Sequence, residues 1–157
     1  MNFLIAEDEA AARKNLVAIL KEVEPDCTIL AELESVEETA EWIATHPAPD
    51  IGFFDIKLSD TIIFELFRKT EIKFPVVFVT AYNQYALRAF KVNSIDYILK
   101  PVSSRAVRFA LKKYKQLTGN ALASNERLIK QLMAQMEDHR QKAYRKSILL
   151  NLKDKLI

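Results

Sequence analysis

Ile51-Gly52-Phe53-Phe54-Asp55-Ile56-Lys57-Leu58 decides how the whole chain is read. An apolar run ends abruptly on an acid, as a strand buried on both faces does where it leaves the sheet. Open α/β sheets put their ligand sites at the carboxyl ends of such strands, so Asp55 is a candidate reacting group. The pattern repeats outward from it. Upstream, Asn2-Phe3-Leu4-Ile5-Ala6 is stopped by Glu7-Asp8-Glu9, and Thr28-Ile29-Leu30-Ala31 is a second run; the third is Asp50 to Phe54. Downstream, Pro75 introduces the β-branched run Val76-Val77-Phe78-Val79-Thr80, and Ile95 to Leu99 ends at Lys100-Pro101.

Between the strands the period changes to that of helices. Leu16, Ile19, Leu20 and Val23 share a face after a start near Glu9 or Ala10, and Pro25-Asp26 ends that helix. Ser35 with Glu38 is a capping-box signature for a helix carrying Ala40, Trp42, Ile43 and Ala44, closed off by Pro47 and Pro49. A short helix holds Ile63, Phe64, Leu66 and Phe67, and a fourth holds Tyr85, Leu87, Ala89 and Phe90. Ser103 or Ser104 caps a fifth, bearing Val107, Leu111, Tyr114 and Leu117. Five strands alternating with five helices predict an α/β fold with a parallel sheet covered on both faces. Every strand-to-helix loop then lies at one edge, where Glu7, Asp8, Asp55, Thr80 and Lys100 converge.

Composition narrows the chemistry. Length, at 157 residues, suits one buried domain with an appendage. No apolar run approaches the roughly 20 residues of a membrane span, and acids from Glu7 onward break any signal-peptide pattern, so a soluble cytoplasmic protein is expected. The two glycines, Gly52 and Gly119, are too few and too far apart for a Walker loop or a dinucleotide fingerprint. Cys27 is alone, which excludes a disulfide framework, and His46 and His139 make no zinc spacing. Residues 1–118 carry a net −2 and residues 119–157 a net +4, so a basic tail follows a slightly acidic domain and admits a nucleic-acid partner.

Three carboxylates gathered within a few ångströms need a proton, a basic side chain or a hard cation. With oxygen ligands only, the cation is Mg²⁺ or Mn²⁺. Glu7, Asp8 and Asp55 are assigned as its ligands, with the backbone carbonyl of Lys57 as a candidate fourth. A carboxylate beside such a metal can attack a phosphoryl group, and the acyl phosphate formed would be held by the metal, the Lys100 ammonium and the Thr80 hydroxyl. Taken singly, these residues have ordinary readings: Glu7-Asp8 as an acidic helix start, Thr80 as a strand end, Lys100 as a loop residue. Their shared edge is what gives them meaning.

In order and spacing, Ile5-Ala6-Glu7-Asp8-Glu9, Phe54-Asp55-Ile56-Lys57-Leu58, Val79-Thr80-Ala81 and Asp96-Tyr97-Ile98-Leu99-Lys100-Pro101 resemble the receiver domain of two-component response regulators over residues 1–118. The resemblance implies a flavodoxin-like (βα)5 doubly wound sheet of strand order 2-1-3-4-5. It implies phosphorylation of Asp55 by a sensor histidine kinase and Mg²⁺ at Glu7, Asp8 and Asp55. It further implies phosphoryl contacts from Thr80, Ala81 and Lys100, a switch pair of Thr80 and Tyr97, and a cis peptide before Pro101. The run from Thr80 to Phe90 and on to Pro101 resembles the LytR/AlgR branch, whose outputs are LytTR-type DNA-binding domains. Ser59 departs from the common proline of the loop beyond Asp55, and neither Thr61 nor Ile63 supplies the glycine often found there, so the geometry of that loop is the open question.

Residues 119–146 read as a helical linker, with Leu122, Ile129, Leu132 and Met136 forming a short stripe. Residues 147–157 read as a hairpin cut short, which looks like the start of a truncated LytTR-type domain. The expected partners are therefore the kinase, a second copy of the chain through the helix 4, strand 5, helix 5 face or the linker helix, and DNA through the missing output domain, with no membrane. Two rivals stand beside this reading. One is an aspartyl-phosphate phosphatase of the haloacid-dehalogenase type, which needs a second Asp where Lys57 stands. The other is an interaction module without phosphorylation.

Overall fold

The structure, a computed structural model, describes residues 1–89, 92, 94–119 and 133–137. Strand β1 spans Asn2–Ala6, β2 Thr28–Leu33, β3 Ile51–Phe54, β4 Val76–Thr80 and β5 Ser94–Leu99. Helix α1 spans Ala10–Val23, α2 Val36–Thr45, α3 Phe64–Lys69, α4 Ala86–Ala89 and α5 Ser104–Tyr114. A 3₁₀ turn, Asn83–Tyr85, leads into α4, and a π-helical turn, Lys115–Gly119, follows α5. The proposed hairpin at 147–157 and all of the linker except residue 119 and the helical 133–137 lie outside the described residues.

Among the described residues the strands form one parallel sheet of order β2-β1-β3-β4-β5. The central position of β1 and β3 explains their unbroken apolar character: Phe3, Leu4, Ile5 and Ala6 are fully buried, as are Ile51, Phe53 and Phe54. Alternate residues feed two separate cores. Phe3, Ile5, Phe53, Val77 and Val79 pack with Leu16 and Leu20 of α1 and Val107 and Leu111 of α5. Leu4, Ala6, Phe54, Val76 and Phe78 pack on the other face with Val36 of α2, Phe64 and Leu66 of α3, and Ala89 of α4. Cys27 belongs to the first core, buried, with its sulfur 3.8 Å from the Leu20 carbonyl.

Gly52 owes its place to packing. A Cβ there would lie 2.7 Å and 2.8 Å from ring carbons of Phe54 and 2.9 Å from one of Phe74. These two rings meet edge to face, with centroids 6.1 Å apart, across the surface that the glycine leaves bare.

Boundaries differ from the sequence expectation in ways with local causes. Strand β2 runs to Leu33 rather than Ala31, because β1 pairs with it along its full length to Ala6↔Leu33. Strand β3 begins at Ile51; Asp50 before it donates its N–H to the Asn2 carbonyl at 2.9 Å and accepts the Asn2 N–H on its carboxylate at 2.6 Å. Ser35 caps α2 by accepting the Glu38 N–H at 3.0 Å, but the Glu38 carboxylate reaches back to Glu34 rather than to Ser35 itself. Of the two serines before α5, Ser103 is the cap, accepting from Ala106 N–H at 3.1 Å.

Candidate functional site

The carboxyl ends of β1, β3, β4 and β5 meet at one edge of the sheet. Asp55 is the first residue past β3, and its N–H donates to the Ala6 carbonyl at 2.8 Å, so the acid is held level with the end of β1. Its Oδ1 accepts the Ile56 N–H at 2.6 Å, and its Oδ2 accepts the Lys100 ammonium at 2.9 Å. Lys100 also donates to Glu7 Oε1 and so bridges the two acids. Glu7 and Asp55 are almost fully buried, 4% and 7% exposed, whereas Asp8 is exposed.

Carboxylate oxygens of Glu7, Asp8 and Asp55 lie within 4.8 Å of one another. That donor set is all oxygen, is rich in negative charge, and has one open member in Asp8, which suits a hard divalent cation that retains water. The backbone beyond Asp55 folds into a tight hairpin in which Lys57 faces Ile62. Its bonds run from Ile63 N–H to the Ile56 carbonyl (2.7 Å) and from Leu58 N–H to the Thr61 carbonyl (3.0 Å), so the Lys57 carbonyl takes no part in that ladder. The residues present therefore fit Mg²⁺ or Mn²⁺.

Burial, with the Asp55 charge adding to it, pushes the Glu7 carboxyl up to about 7 against the opposing bond from Lys100. Burial pulls the Lys100 ammonium the other way, but its bonds to Glu7 and Asp55 more than offset this and hold it above its ordinary value. The bridge is thus a compensation for placing two acids in a dry edge.

Thr80 is fully buried at the end of β4; its carbonyl accepts from Lys100 N–H at 2.8 Å, and its hydroxyl accepts from Tyr82 N–H at 3.4 Å. Ala81 beside it is exposed, and the Lys100–Pro101 peptide is cis. Tyr97 packs on the Phe78 side of the sheet, its ring 6.4 Å from that of Phe78 and its hydroxyl donating to the Tyr82 carbonyl. Burial holds the Tyr97 phenol above its ordinary value, with the Asp55 charge adding to it.

Several contacts at this edge escaped sequence reasoning. Lys57 sets its ammonium over the Tyr82 ring, 4.1 Å from the centroid, joining the β3–α3 and β4–α4 loops. Arg13 donates to the Glu7 carbonyl at 2.8 Å and pairs with Glu34 at 3.2 Å. Asp60 accepts from Val36 N–H (2.9 Å), Glu37 N–H (3.0 Å) and Thr61 N–H (2.9 Å). Its slight burial works against ionisation, yet these amides hold the carboxyl below its ordinary value. A cap donated from 24 residues away has no signal in local sequence.

A family model described as the response regulator receiver domain matches residues 3–112. Sensory transduction protein LytT of Bacillus anthracis is 42% identical over 122 residues, 74% of this chain and 48% of that protein. LytT of Enterococcus faecalis is 40% identical over 128 residues, 80% of this chain and 52% of that one. The chain spans about half the length of these curated relatives. The response regulatory domain of protein mrkE from Klebsiella pneumoniae superposes with a TM-score of 0.65 at 25% identity, covering 73% of this chain and 95% of that domain. Response regulator protein TrrA from Thermotoga maritima, solved in complex with Mg²⁺-BeF, gives a TM-score of 0.61 at 22% identity over 72% of this chain and 97% of that one, a likeness of fold.

Proposed function

This chain belongs to the response regulator receiver domain family, and on that premise we propose that it is a phosphorylation-operated switch with Asp55 as its phosphoacceptor. The supporting observation is the Lys100 bridge: one ammonium holds Glu7 and Asp55 together at the strand ends, with Asp8 alongside. A carboxylate oxygen of Asp55 forms the new P–O bond while the bond between phosphorus and the donor breaks, and the leaving group takes up a proton. For a sensor histidine kinase that leaving group is an imidazole.

Glu7, Asp8, Asp55 and the Lys57 carbonyl would hold Mg²⁺ or Mn²⁺, which supplies charge neutralisation for the incoming phosphoryl group. Lys100 exchanges a carboxylate oxygen for a phosphoryl oxygen, and Thr80 and Ala81 provide the neighbouring contacts. The phosphorylated side chain, which carries about −1.5 to −2 in place of the carboxylate's single charge, draws Thr80 and Lys100 toward Asp55 and releases Tyr97 from the Tyr82 carbonyl. The readout is the α4-β5-α5 face, where Leu99 and Phe109 are exposed, 47% and 57%. A second copy of the chain docks there, and in the full-length protein a LytTR-type domain carries the signal to DNA. The site is built to hold a phosphoryl group rather than to hydrolyse it repeatedly: the position two residues past Asp55, where a phosphatase needs an acid, is Lys57, engaged with Tyr82. No helix among the described residues is long and apolar enough to cross a membrane, and a cytoplasmic location agrees with partnership to a kinase and DNA.

The decisive experiment incubates the chain and its Asp55→Asn variant with acetyl phosphate and Mg²⁺ and reads the intact mass. A gain of one phosphoryl group in the wild type alone is expected. No gain, or an equal gain in both, removes the proposal.

A further inference from the structure

The hairpin beyond Asp55, residues 56–63, contains no proline, so no residue in it has its φ fixed by its own ring. Two bonds of its own and the buried Ile56, Leu58 and Ile63 fold it, and its tip is tied down from outside. At its tip, both carboxylate oxygens of Asp60 accept N–H groups at the start of α2, Val36 at 2.9 Å and Glu37 at 3.0 Å. Next to it, the hydroxyl and the N–H of Ser59 both donate to the Glu34 carbonyl, at 3.0 and 3.3 Å. Glu34 is itself tied through its carboxylate to Arg13 at 3.2 Å, and Arg13 donates to the Glu7 carbonyl at 2.8 Å. The Asp55 N–H on the Ala6 carbonyl closes the circuit. Each end of the circuit is the backbone of a candidate ligand: Glu7 on one side, and Asp55 with the Lys57 carbonyl on the other.

We infer that Asp60, seconded by Ser59 and Arg13, is a positioning residue for the cation site, holding the Lys57 carbonyl and Asp55 in register with Glu7 by anchoring the hairpin tip to the N-terminus of α2. This rests on the cation assignment of the proposed function. Asp60 touches neither the cation nor the reacting atoms. Its two bonds to α2, added to the burial of Ile56, Leu58 and Ile63, remove the freedom left at the hairpin tip before the cation arrives, so that ordering cost does not fall on binding. Outer-shell partners bonded directly to a ligand are worth about 10- to 100-fold in metal affinity, and a support one step further out belongs at the low end of that range.

The test titrates the full chain with Mg²⁺ alone by calorimetry, and separately measures the rate of phosphorylation by acetyl phosphate against Mg²⁺ concentration. Asp60→Ala is expected to raise the Mg²⁺ dissociation constant about tenfold while the rate at saturating Mg²⁺ stays within about twofold of wild type. Asp60→Asn keeps an oxygen for Val36 and Thr61 and should fall between the two. A helix cap with no other role would lower the denaturation midpoint and leave the dissociation constant where it was; that result in Asp60→Ala overturns the inference. Should Asp60→Ala fail to fold, Asp60→Asn and Ser59→Ala decide by the same titration, and unchanged Mg²⁺ binding in both overturns it. Wild type that binds no Mg²⁺ overturns it too. Wild type that binds Mg²⁺, loses it with Asp60→Ala, and yet takes up no phosphoryl group sustains the inference while removing the proposed function.

Discussion

Lys100 Nζ stands 2.9 Å from Asp55 Oδ2 and shares its charge with Glu7. It is the only basic group that the described hydrogen bonds and ion pairs bring to these two buried carboxylates, Arg13 reaching only the Glu7 backbone carbonyl. Removing it leaves two carboxylates facing one another in a poorly solvated edge, and a charge deprived of its partner costs more than the pair contributed.

Lys100→Met is therefore expected to fold but to lose about 1–3 kcal/mol in urea at pH 8 without divalent cation. Added Mg²⁺ should recover part of that loss, since it answers the same charge. Phosphorylation at Asp55 should still be detectable, with the conformational response weakened. Denaturation curves with and without Mg²⁺ check the first two statements; equal stability of variant and wild type at pH 8 contradicts them.

The Glu7 carboxyl, raised from 4.5 to about 7, gives the apoprotein a specific pH signature. A folded-state value above the unfolded one means that the folded chain holds a proton the unfolded chain has released. This contribution is present below about pH 4.5 and is lost as pH climbs to about 7. Wild type should therefore lose stability relative to Glu7→Gln between pH 5 and 7.5, as read from urea midpoints. Mg²⁺ needs the ionised form, so its apparent affinity should weaken by up to about tenfold for each pH unit below 7. A pH-independent dissociation constant between pH 5.5 and 8 would contradict this.

Gly52→Ala tests the packing behind Asp55. The new methyl meets two buried phenyl rings that have nowhere to go, and overpacking of this kind costs about 1–3 kcal/mol. The denaturation midpoint should fall with the slope against denaturant unchanged. A neutral substitution would mean that Phe54 and Phe74 can separate freely.

On the proposed docking face, Phe109 is more than half exposed, with the Lys113 ammonium 4.7 Å from its ring centroid. Phe109→Ser should leave stability within about 0.5 kcal/mol, as surface substitutions do, and leave phosphorylation unchanged. It should abolish association of the phosphorylated chain in sedimentation velocity. Association that survives the substitution moves the interface elsewhere on the chain.

How much of this was legible beforehand follows from how far apart the interacting groups are in sequence. The apolar runs around Phe3, Phe53 and Val77 set the strands, the helical spacing of Leu16, Leu20, Val107 and Leu111 set the faces of α1 and α5, and alternation of the two set the sheet. Because all strand ends then share one edge, Glu7, Asp8, Asp55, Thr80 and Lys100 could be gathered from sequence alone; their roles remain for experiment. The Ser35 cap was legible as well, being a bond between residues three apart.

The sequence by itself determined the elements, their order and the edge at which the chemistry-bearing side chains meet, because these follow from local periodicity and from the direction of parallel strands. Tertiary structure alone decided that Lys100 bridges Glu7 to Asp55, that Glu7 is buried enough to titrate near neutrality, that the Gly52 Cα faces two rings, and that Asp60 caps a helix on which it has no sequence neighbour. Each of these depends on distance and solvent access between groups 23 to 93 residues apart, apart from the close contact of Gly52 with Phe54 and Phe74. Neither quantity is written in the order of the residues; both appear only when the sheet is closed over its two cores.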